Sequence, residues 1–337
     1  MWSTRWLLRF IALGAILASA VPSVAREPGL PLVAVATVSL PGSDTRFDYE
    51  SLDPTTGLLF IAHLAASEIV VFDVRRDRVV ATIPKIDRVH GVLAVPELGR
   101  VYATATGSDD VVVIDARSRN ILARVPGGSY PDGMAFDPAD HKLYVSDESG
   151  DTETVIDTRT NVRVATIPLG GDVGNSQYDR RTHRVFVNVQ TRGELVAIDP
   201  TSDTIAARYF LPGCVGNHGL QLDGEHRHAA IACEDNARLV VFDLVTKKER
   251  QSFTIGDGPD VLAYDRTRSA LYVASESGTV SMFDATARGM QKTAEAFVGT
   301  NAHIVAVDQR THRVYFPVLG KDGPRMLVYK PRTSLRR

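Results

Sequence analysis

Residues 132–149 read DGMAFDPADHKLYVSDES, and residues 260–277 read DVLAYDRTRSALYVASES. In both stretches an apolar run ends in Asp, a polar turn follows, and a second apolar run contains tyrosine. Similar units occur seven times, 42–44 residues apart, starting near Asp48, His90, Asp132, Gly174, His218, Asp260 and His303, and six of the seven carry the Asp after the first run. A fixed period of this length indicates a repeat architecture.

Each unit predicts four short strands. After the two runs quoted above comes a β-branched run that ends in Asp, such as VVFD at 70–73, and then a fourth run, such as VVATI at 79–83. Four strands per unit without a helical period are typical of β-propeller blades. The last unit lacks a fourth run, whereas LVAVATVSL at 32–40 precedes the first unit. We therefore predict one all-β domain over residues 26–337, a seven-bladed β-propeller with four antiparallel strands per blade, in which the N-terminal strand completes the C-terminal blade.

The first 25 residues have the pattern of an export signal. Arg5 and Arg9 supply positive charge, residues 10–18 are apolar, and small residues follow up to Ala25. This pattern predicts a signal peptide with cleavage between Ala20 and Ala25. The apolar run is shorter than the roughly 20 residues that a bilayer span needs, so no stable membrane span is expected after cleavage. The predicted location is periplasmic or secreted.

Composition removes several classes of function. The chain has 38 Lys+Arg against 40 Asp+Glu, a formal net charge of −2, which argues against a nucleic-acid partner. Its two cysteines exclude a four-cysteine zinc site. The sequence contains neither the Cys-x-x-Cys-His motif of covalent haem nor the Gly-x-Ser-x-Gly elbow of serine hydrolases.

The repeat also resembles a known family. LYVSDES at 143–149 and LYVASES at 271–277 are similar to the Leu-Tyr-Val-x-Asn motif of YVTN-repeat β-propellers, and the chain resembles their exported bacterial YncE-like group. The resemblance extends over nearly the whole chain after the signal peptide. It implies the seven-bladed fold, which the family shares with lactonases and with the heavy chains of amine dehydrogenases.

Aligned units place polar side chains at one end of the central channel. The second strand of a blade runs back to the end where the first strand began, so the start of one and the end of the other belong to the same channel mouth. From the strand starts we predict ligand-binding roles for Asp48, His90, Asp132, Asn175, His218, Asp260 and His303. From the strand ends we add Glu148, Gln190, Glu234 and Glu276. These eleven side chains are called the mouth residues below.

Two interpretations of the mouth residues remain open. Imidazole with carboxylate suits a divalent first-row metal ion, and His218, His303 and Asp260 are the predicted ligands of such an ion in the central channel. Alternatively the mouth is a solvated lining in which aspartates bind neighbouring backbone N–H groups.

Cys214 and Cys233 flank the first two strands of the fifth unit. In an oxidising compartment this pair predicts a disulfide. A copper site built from cysteine and histidine is the alternative interpretation.

The sequence thus predicts an exported binding or scaffold propeller, with a small molecule, a metal ion or a protein partner at one face. The alternative is a metal-dependent lactonase-type hydrolase at the same face, in which a metal ion activates water and His or Glu acts as the base. No motif identifies catalytic residues, so the ligand and any reaction stay unassigned.

Overall fold

Seven four-stranded antiparallel sheets form the regular structure of this computed structural model, which describes residues 29–42 and 46–332. The first strand of each blade is innermost, and the innermost strands of adjacent blades contact one another around a closed ring. The predicted seven-bladed β-propeller is therefore confirmed. The predicted signal peptide lies outside the described residues. Within the described part of the chain, no helix has the length and apolar character needed to cross a membrane.

The innermost strands are Phe47–Asp53, Val89–Val95, Pro131–Asp137, Val173–Asp179, Asn217–Asp223, Pro259–Asp265 and Ala306–Val307. The second strands are Leu58–His63, Arg100–Ala105, Lys142–Asp147, Arg184–Val189, His228–Cys233, Ala270–Ser275 and Val314–Gly320. The third strands are Glu68–Asp73, Asp110–Asp115, Thr152–Asp157, Glu194–Asp199, Arg238–Asp243, Thr279–Thr286 and Gly323–Pro331. The outermost strands are Arg78–Pro84, Ile121–Pro126, Val162–Pro168, Thr204–Phe210, Lys248–Thr254, Gly289–Phe297 and Leu32–Ser39. Single 3₁₀ turns occupy Leu64–Ala66, Pro96–Leu98, Glu148–Gly150, Gln190–Arg192 and Glu234–Asn236.

The ring closes where the two ends of the domain meet. The N-terminal strand pairs antiparallel with the C-terminal strand, with Leu32 opposite Pro331 and Ser39 opposite Arg325. The seventh blade is therefore built from both ends of the chain, as the sequence predicts. Closure in this way pairs the outer edge of Gly323–Pro331 and completes the seventh blade.

The core lies between blades rather than within them. Six of the seven second strands contribute a large aromatic side chain, and Tyr102, Tyr144, Tyr272 and Tyr315 are among the largest fully buried groups. Tyr102 of the second blade packs with Leu143 of the third. The outermost strands alternate exposed and partly buried residues, because only one of their faces meets a neighbour.

A second repeated feature stabilises the opposite end of the inner strands. We name these side chains the turn aspartates, and they are Asp53, Asp137, Asp179, Asp223, Asp265 and Asp308. Asp179 accepts a hydrogen bond from the backbone N–H of Arg181 at 3.1 Å and pairs with Arg227 of the next blade at 2.9 Å. Asp265 likewise lies 2.8 Å from the ring of His312 in the next blade. Turn formation and contact between blades therefore explain why Asp recurs here.

Candidate binding site at the channel mouth

In six blades a β-bulge interrupts the ladder near the start of the innermost strand. Phe47 pairs with His63 and Glu50 with Ile61. Asp48 and Tyr49 therefore stand together opposite Ala62. Such bulges redirect side chains, and here they turn the second residue of the strand toward the channel axis. The sequence alignment counted this residue as the first of the strand. Glu148, Gln190 and Glu234 begin the 3₁₀ turns that follow the second strands.

Tyr49 joins mouth residues from three other blades. Its hydroxyl donates to Asn175 Oδ1 at 2.8 Å and lies 3.1 Å from His218 Nε2. The same hydroxyl lies 3.4 Å from Asp132 Oδ2. Contacts among blades one, three, four and five place these side chains at the axis of the ring, as predicted for one shared mouth.

A second set of contacts joins the histidines and aspartates of the mouth. His303 Nε2 lies 3.9 Å from Asp260 Oδ2, and His218 Nε2 lies 3.5 Å from Asp260 Oδ1. His90 Nε2 lies 3.8 Å from Asp48 Oδ2. All five side chains are buried. The structure therefore brings the predicted Asp and His positions together around one space.

The residues at the strand ends form the outer rim. Gln190 Nε2 donates to Glu148 Oε1 at 3.4 Å. Arg46 forms an ion pair with Glu276, and its Nε lies 3.5 Å from Asp48 Oδ2. The rim is thus partly hydrogen-bonded, and one arginine offsets part of its negative charge.

The electrostatics of the mouth are strongly acidic. It contains the carboxylates of Asp48, Asp132, Asp260, Glu148, Glu234 and Glu276. Burial raises the pKa of Asp132, Asp260 and Glu234, and neighbouring carboxylates raise these pKa values further. Burial lowers the pKa of His90 and His303, which favours the neutral imidazole. The buried groups therefore carry less charge than their ordinary pKa values would give them.

Several buried polar atoms of the mouth have no hydrogen-bond partner. They are Asp48 Oδ2, Asp132 Oδ1, His218 Nδ1, Asp260 Oδ1 and His303 Nε2. Buried polar groups in native proteins are nearly always satisfied, so each exception calls for a partner from outside the chain. Their concentration around one space indicates a binding site.

Sequence reasoning missed Arg46, Tyr49 and Tyr130. The Tyr130 hydroxyl lies 3.0 Å from His90 Nε2 and so occupies that ring nitrogen. Tyr49 was detectable, because it stands where other units have glycine directly after the mouth residue, at Gly91, Gly133 and Gly219. Arg46 lies two residues before Asp48, and among the other units only Arg88 in the second repeats an arginine at this position.

The glycines at this position allow adjacent inner strands to approach closely. A Cβ atom on Gly91 would lie 2.1 Å from the carbonyl oxygen of Asp132. A Cβ atom on Gly219 would lie 2.0 Å from the carbonyl oxygen of Asp260. Real Cβ atoms do not come so close to backbone, so the geometry of the mouth depends on glycine at both places.

The channel continues below the mouth. A cavity of about 540 Å³ is lined by the inner strands, with Tyr49 and Asn175 among its lining residues. The other ten mouth residues do not line it. Its volume falls within the usual range for small-ligand sites, about 300–1,000 Å³.

Cys214 and Cys233 are joined by a disulfide in the structure, with their Cα atoms 5.2 Å apart. Cys233 is paired in the ladder with Asn217, the residue before His218. The disulfide therefore attaches the loop that enters the fifth blade to the second strand of that blade. The described residues contain no free cysteine.

Comparisons with known proteins show the fold. No protein-family model and no curated protein matches the chain. A chain of hydrazine synthase from Kuenenia stuttgartiensis has a TM-score of 0.74 at 15% identity, covering 94% of this chain and 99% of that one. A chain of the mitotic checkpoint complex has a TM-score of 0.75 at 11% identity, covering 97% and 98%. The WD40 repeats of RRP9 have a TM-score of 0.74 at 14% identity, covering 89% and 100%. The chain is thus a WD40-like seven-bladed β-propeller, and likeness at these identities carries no activity with it.

Proposed function

We propose that this chain is an exported β-propeller with a binding role, and that its ligand is a small cation held at the channel mouth. The observation that carries the proposal is the group of buried polar atoms without hydrogen-bond partners around one space. Three of these atoms are carboxylate oxygens, which only accept when ionised, so a positively charged ligand suits them. The WD40-type neighbours, one of them in the mitotic checkpoint complex, support a binding or scaffold role and also a protein partner at one face.

Export is part of the proposal. The signal pattern in the first 25 residues, the resemblance to YncE-like proteins and the disulfide all support it. We expect N-terminal sequencing of protein from the periplasmic fraction to begin between residues 21 and 26. Recovery of the chain in the cytoplasm with its first 25 residues intact would contradict this part.

The test of the ligand site uses protein that has been treated with a chelator and dialysed. Thermal shifts are measured with Mg²⁺, Ca²⁺, Mn²⁺, Zn²⁺, choline and spermidine. We expect at least one cation to raise the melting temperature, since a ligand that binds only the folded state stabilises it.

The variant Asp132→Asn/Glu148→Gln removes two mouth carboxylates, and its affinity for that cation is expected to fall about tenfold or more. A matched variant, Glu225→Gln/Asp284→Asn, removes two exposed carboxylates near the opposite end of the blades and is expected to bind as the wild type does. Equal losses in the two variants, or no response to any cation, would refute the mouth as the ligand site.

A metal-dependent lactonase-type hydrolase is the second candidate. His218 favours it, because its Nε2 lies 3.5 Å from Asp260 Oδ1 and 3.1 Å from the Tyr49 hydroxyl, an arrangement that can orient a general base. We expect lactone or ester hydrolysis, where present, to be lost in His218→Ala. If the wild-type protein binds a cation but does not hydrolyse these substrates, the hydrolase is ruled out and the binding role remains.

A further inference from the structure

His303 offers an oriented and unoccupied ring nitrogen. Its Nδ1 lies 3.2 Å from the backbone carbonyl oxygen of Asn301. A carbonyl oxygen only accepts, so Nδ1 carries the proton and Nε2 presents its lone pair. That Nε2 is buried, has no hydrogen-bond partner and lies 3.9 Å from Asp260 Oδ2. A carbonyl behind the imidazole is the usual arrangement for a histidine that ligates a metal ion.

The other two mouth histidines differ from His303 at Nε2. His90 Nδ1 lies 2.9 Å from the Arg88 carbonyl oxygen, but its Nε2 is occupied by the Tyr130 hydroxyl. His218 Nε2 lies 3.1 Å from the Tyr49 hydroxyl. Of the three, His303 alone combines a fixed Nδ1 proton with an unoccupied Nε2.

Two carboxylates complete a donor set with this nitrogen. One donor atom from each of Asp48, Asp260 and His303 lies within 4.8 Å of the other two. The three residues are 3%, 6% and 0% exposed. Metal–ligand bonds of about 2.0–2.2 Å place the donors of one ion no more than about 4.4 Å apart, so small side-chain rotations suffice.

We propose that Asp48, Asp260 and His303 bind one divalent transition-metal ion at the channel mouth. This rests on the proposed cation-binding function and names its ligand. Two carboxylates and one imidazole suit Mn²⁺, Fe²⁺ or Zn²⁺, whereas Ca²⁺ prefers six to eight oxygen atoms. The set differs from the sequence prediction in that Asp48 replaces His218, because the Tyr49 hydroxyl already occupies His218 Nε2.

Arg46 sets the affinity of this site. Its guanidinium contacts Asp48 and Glu276, and its side chain is 41% exposed. The arginine offsets carboxylate charge when no ion is present and repels an arriving ion. Replacing it with an uncharged side chain of similar length, Arg46→Met, is therefore expected to tighten metal binding several-fold.

A second group of side chains provides the matched control. Donor atoms of Asp137, Asp140 and His183 also lie within 4.8 Å of one another, near the turn end of the inner strands. Both ring nitrogens of His183 have partners, since Nδ1 lies 2.8 Å from the Tyr178 hydroxyl and Nε2 lies 3.2 Å from Asp140 Oδ2. His183→Ala therefore removes a histidine from a carboxylate cluster without touching the mouth.

The experiment is calorimetric titration of chelator-treated wild type and variants with Mn²⁺ and with Zn²⁺. We expect one ion per chain, a loss of about 100-fold in affinity for His303→Ala and for Asp48→Asn, and no change for His183→Ala. X-ray absorption of the zinc-loaded protein is expected to show one imidazole ligand, which disappears in His303→Ala. Circular dichroism confirms that each variant is folded, and Asp260→Asn replaces any variant that is not.

Two results with the variants would overturn the metal site. One is unchanged affinity in the folded variants of Asp48, Asp260 and His303, and the other is loss of binding in His183→Ala. If the wild type binds an organic cation but no divalent metal, the metal site fails while the cation-binding mouth stands. If neither kind of cation binds, both proposals fail. Tighter binding by Arg46→Met supports the site independently of any variant that loses a ligand.

Discussion

The innermost strand Pro259–Asp265 carries an aspartate near each end, and the fold treats the two differently. Asp265 accepts hydrogen bonds from the Thr267 hydroxyl at 3.0 Å and the Arg268 backbone N–H at 3.2 Å, and its second oxygen lies 2.8 Å from His312. Asp260 is equally buried but keeps one oxygen without a hydrogen-bond partner. In this strand, repetition therefore does not distinguish the two aspartates, whereas hydrogen-bond satisfaction does.

The same contrast appears in the pKa values. Backbone N–H groups of Thr246 and Val245 lower the pKa of Asp243, which ends a third strand, and Arg250 lowers it further. Burial raises the pKa of Asp132 at the mouth. An aspartate that holds a turn is thus stabilised as the anion, and an aspartate at the mouth is not.

The largest effect is expected where a turn aspartate loses its partner in the next blade. Arg227→Ala leaves the buried carboxylate of Asp179 unpaired, and both residues are less than a tenth exposed. Breaking a buried ion pair from one side costs about 3–5 kcal/mol, which chemical denaturation monitored by circular dichroism would show. The control Arg76→Ala removes an exposed partner of Asp73 and is expected to cost about 0.5 kcal/mol or less. Equal costs would remove the distinction between buried contacts that join blades and surface pairs.

The next effect concerns the backbone of the mouth. Gly219→Ala forces a methyl group against the Asp260 carbonyl oxygen and is expected to destabilise the fold by about 1–3 kcal/mol. Any cation bound at the mouth is expected to bind more weakly as well, because Asp260 is displaced. Gly224→Ala is the control, since nothing lies within 4 Å of its Cβ position. If Gly219→Ala left the free energy of unfolding unchanged, the inner strands would be shown to separate without cost.

The smallest effect tests the sign of the electrostatic contrast. Because the folded-state pKa of Asp132 is raised, its contribution to stability is full below about pH 4 and is lost as the pH rises. Asp132→Asn is therefore expected to stabilise metal-free protein at pH 7 and to have no effect near pH 3. Asp243→Ala is expected to destabilise the protein at pH 7, the opposite sign of effect. The lowered pKa of Asp243 gives stability above about pH 4 that is lost as the pH falls. Its expected cost is about 1 kcal/mol at pH 7, measured by urea denaturation across pH. The same sign for both variants would contradict the contrast.

The fold was predictable because its information is periodic. The spacing of the repeat units defined seven blades, and the unmatched run at residues 32–40 indicated how the ring closes. Alignment of the units also placed Asp48 and His303 at one mouth without any structure. Each of these inferences uses only the position of a residue within its unit.

The chemistry of the mouth was less predictable, because it depends on departures from the repeat. Tyr49 has no counterpart in the other units, and Arg46 is matched only by Arg88, although Arg46 and Tyr49 decide which mouth atoms are occupied. The unoccupied Nε2 of His303 follows from a backbone carbonyl two residues earlier. Spacing reports which side chains meet, but it does not report which of their atoms are already bonded.

The pairing of the chain ends also decides how the ring responds to tension. The strands Leu32–Ser39 and Gly323–Pro331 are antiparallel, with Leu32 opposite Pro331, so both ends of the domain leave the ladder at the same side. A pull on the two ends therefore loads one pair of hydrogen bonds at a time, beginning at Leu32 and moving toward Ser39. Mechanically the seventh blade is a zipper, and a propeller tethered by its termini opens there first, while the other six blades carry little of the load.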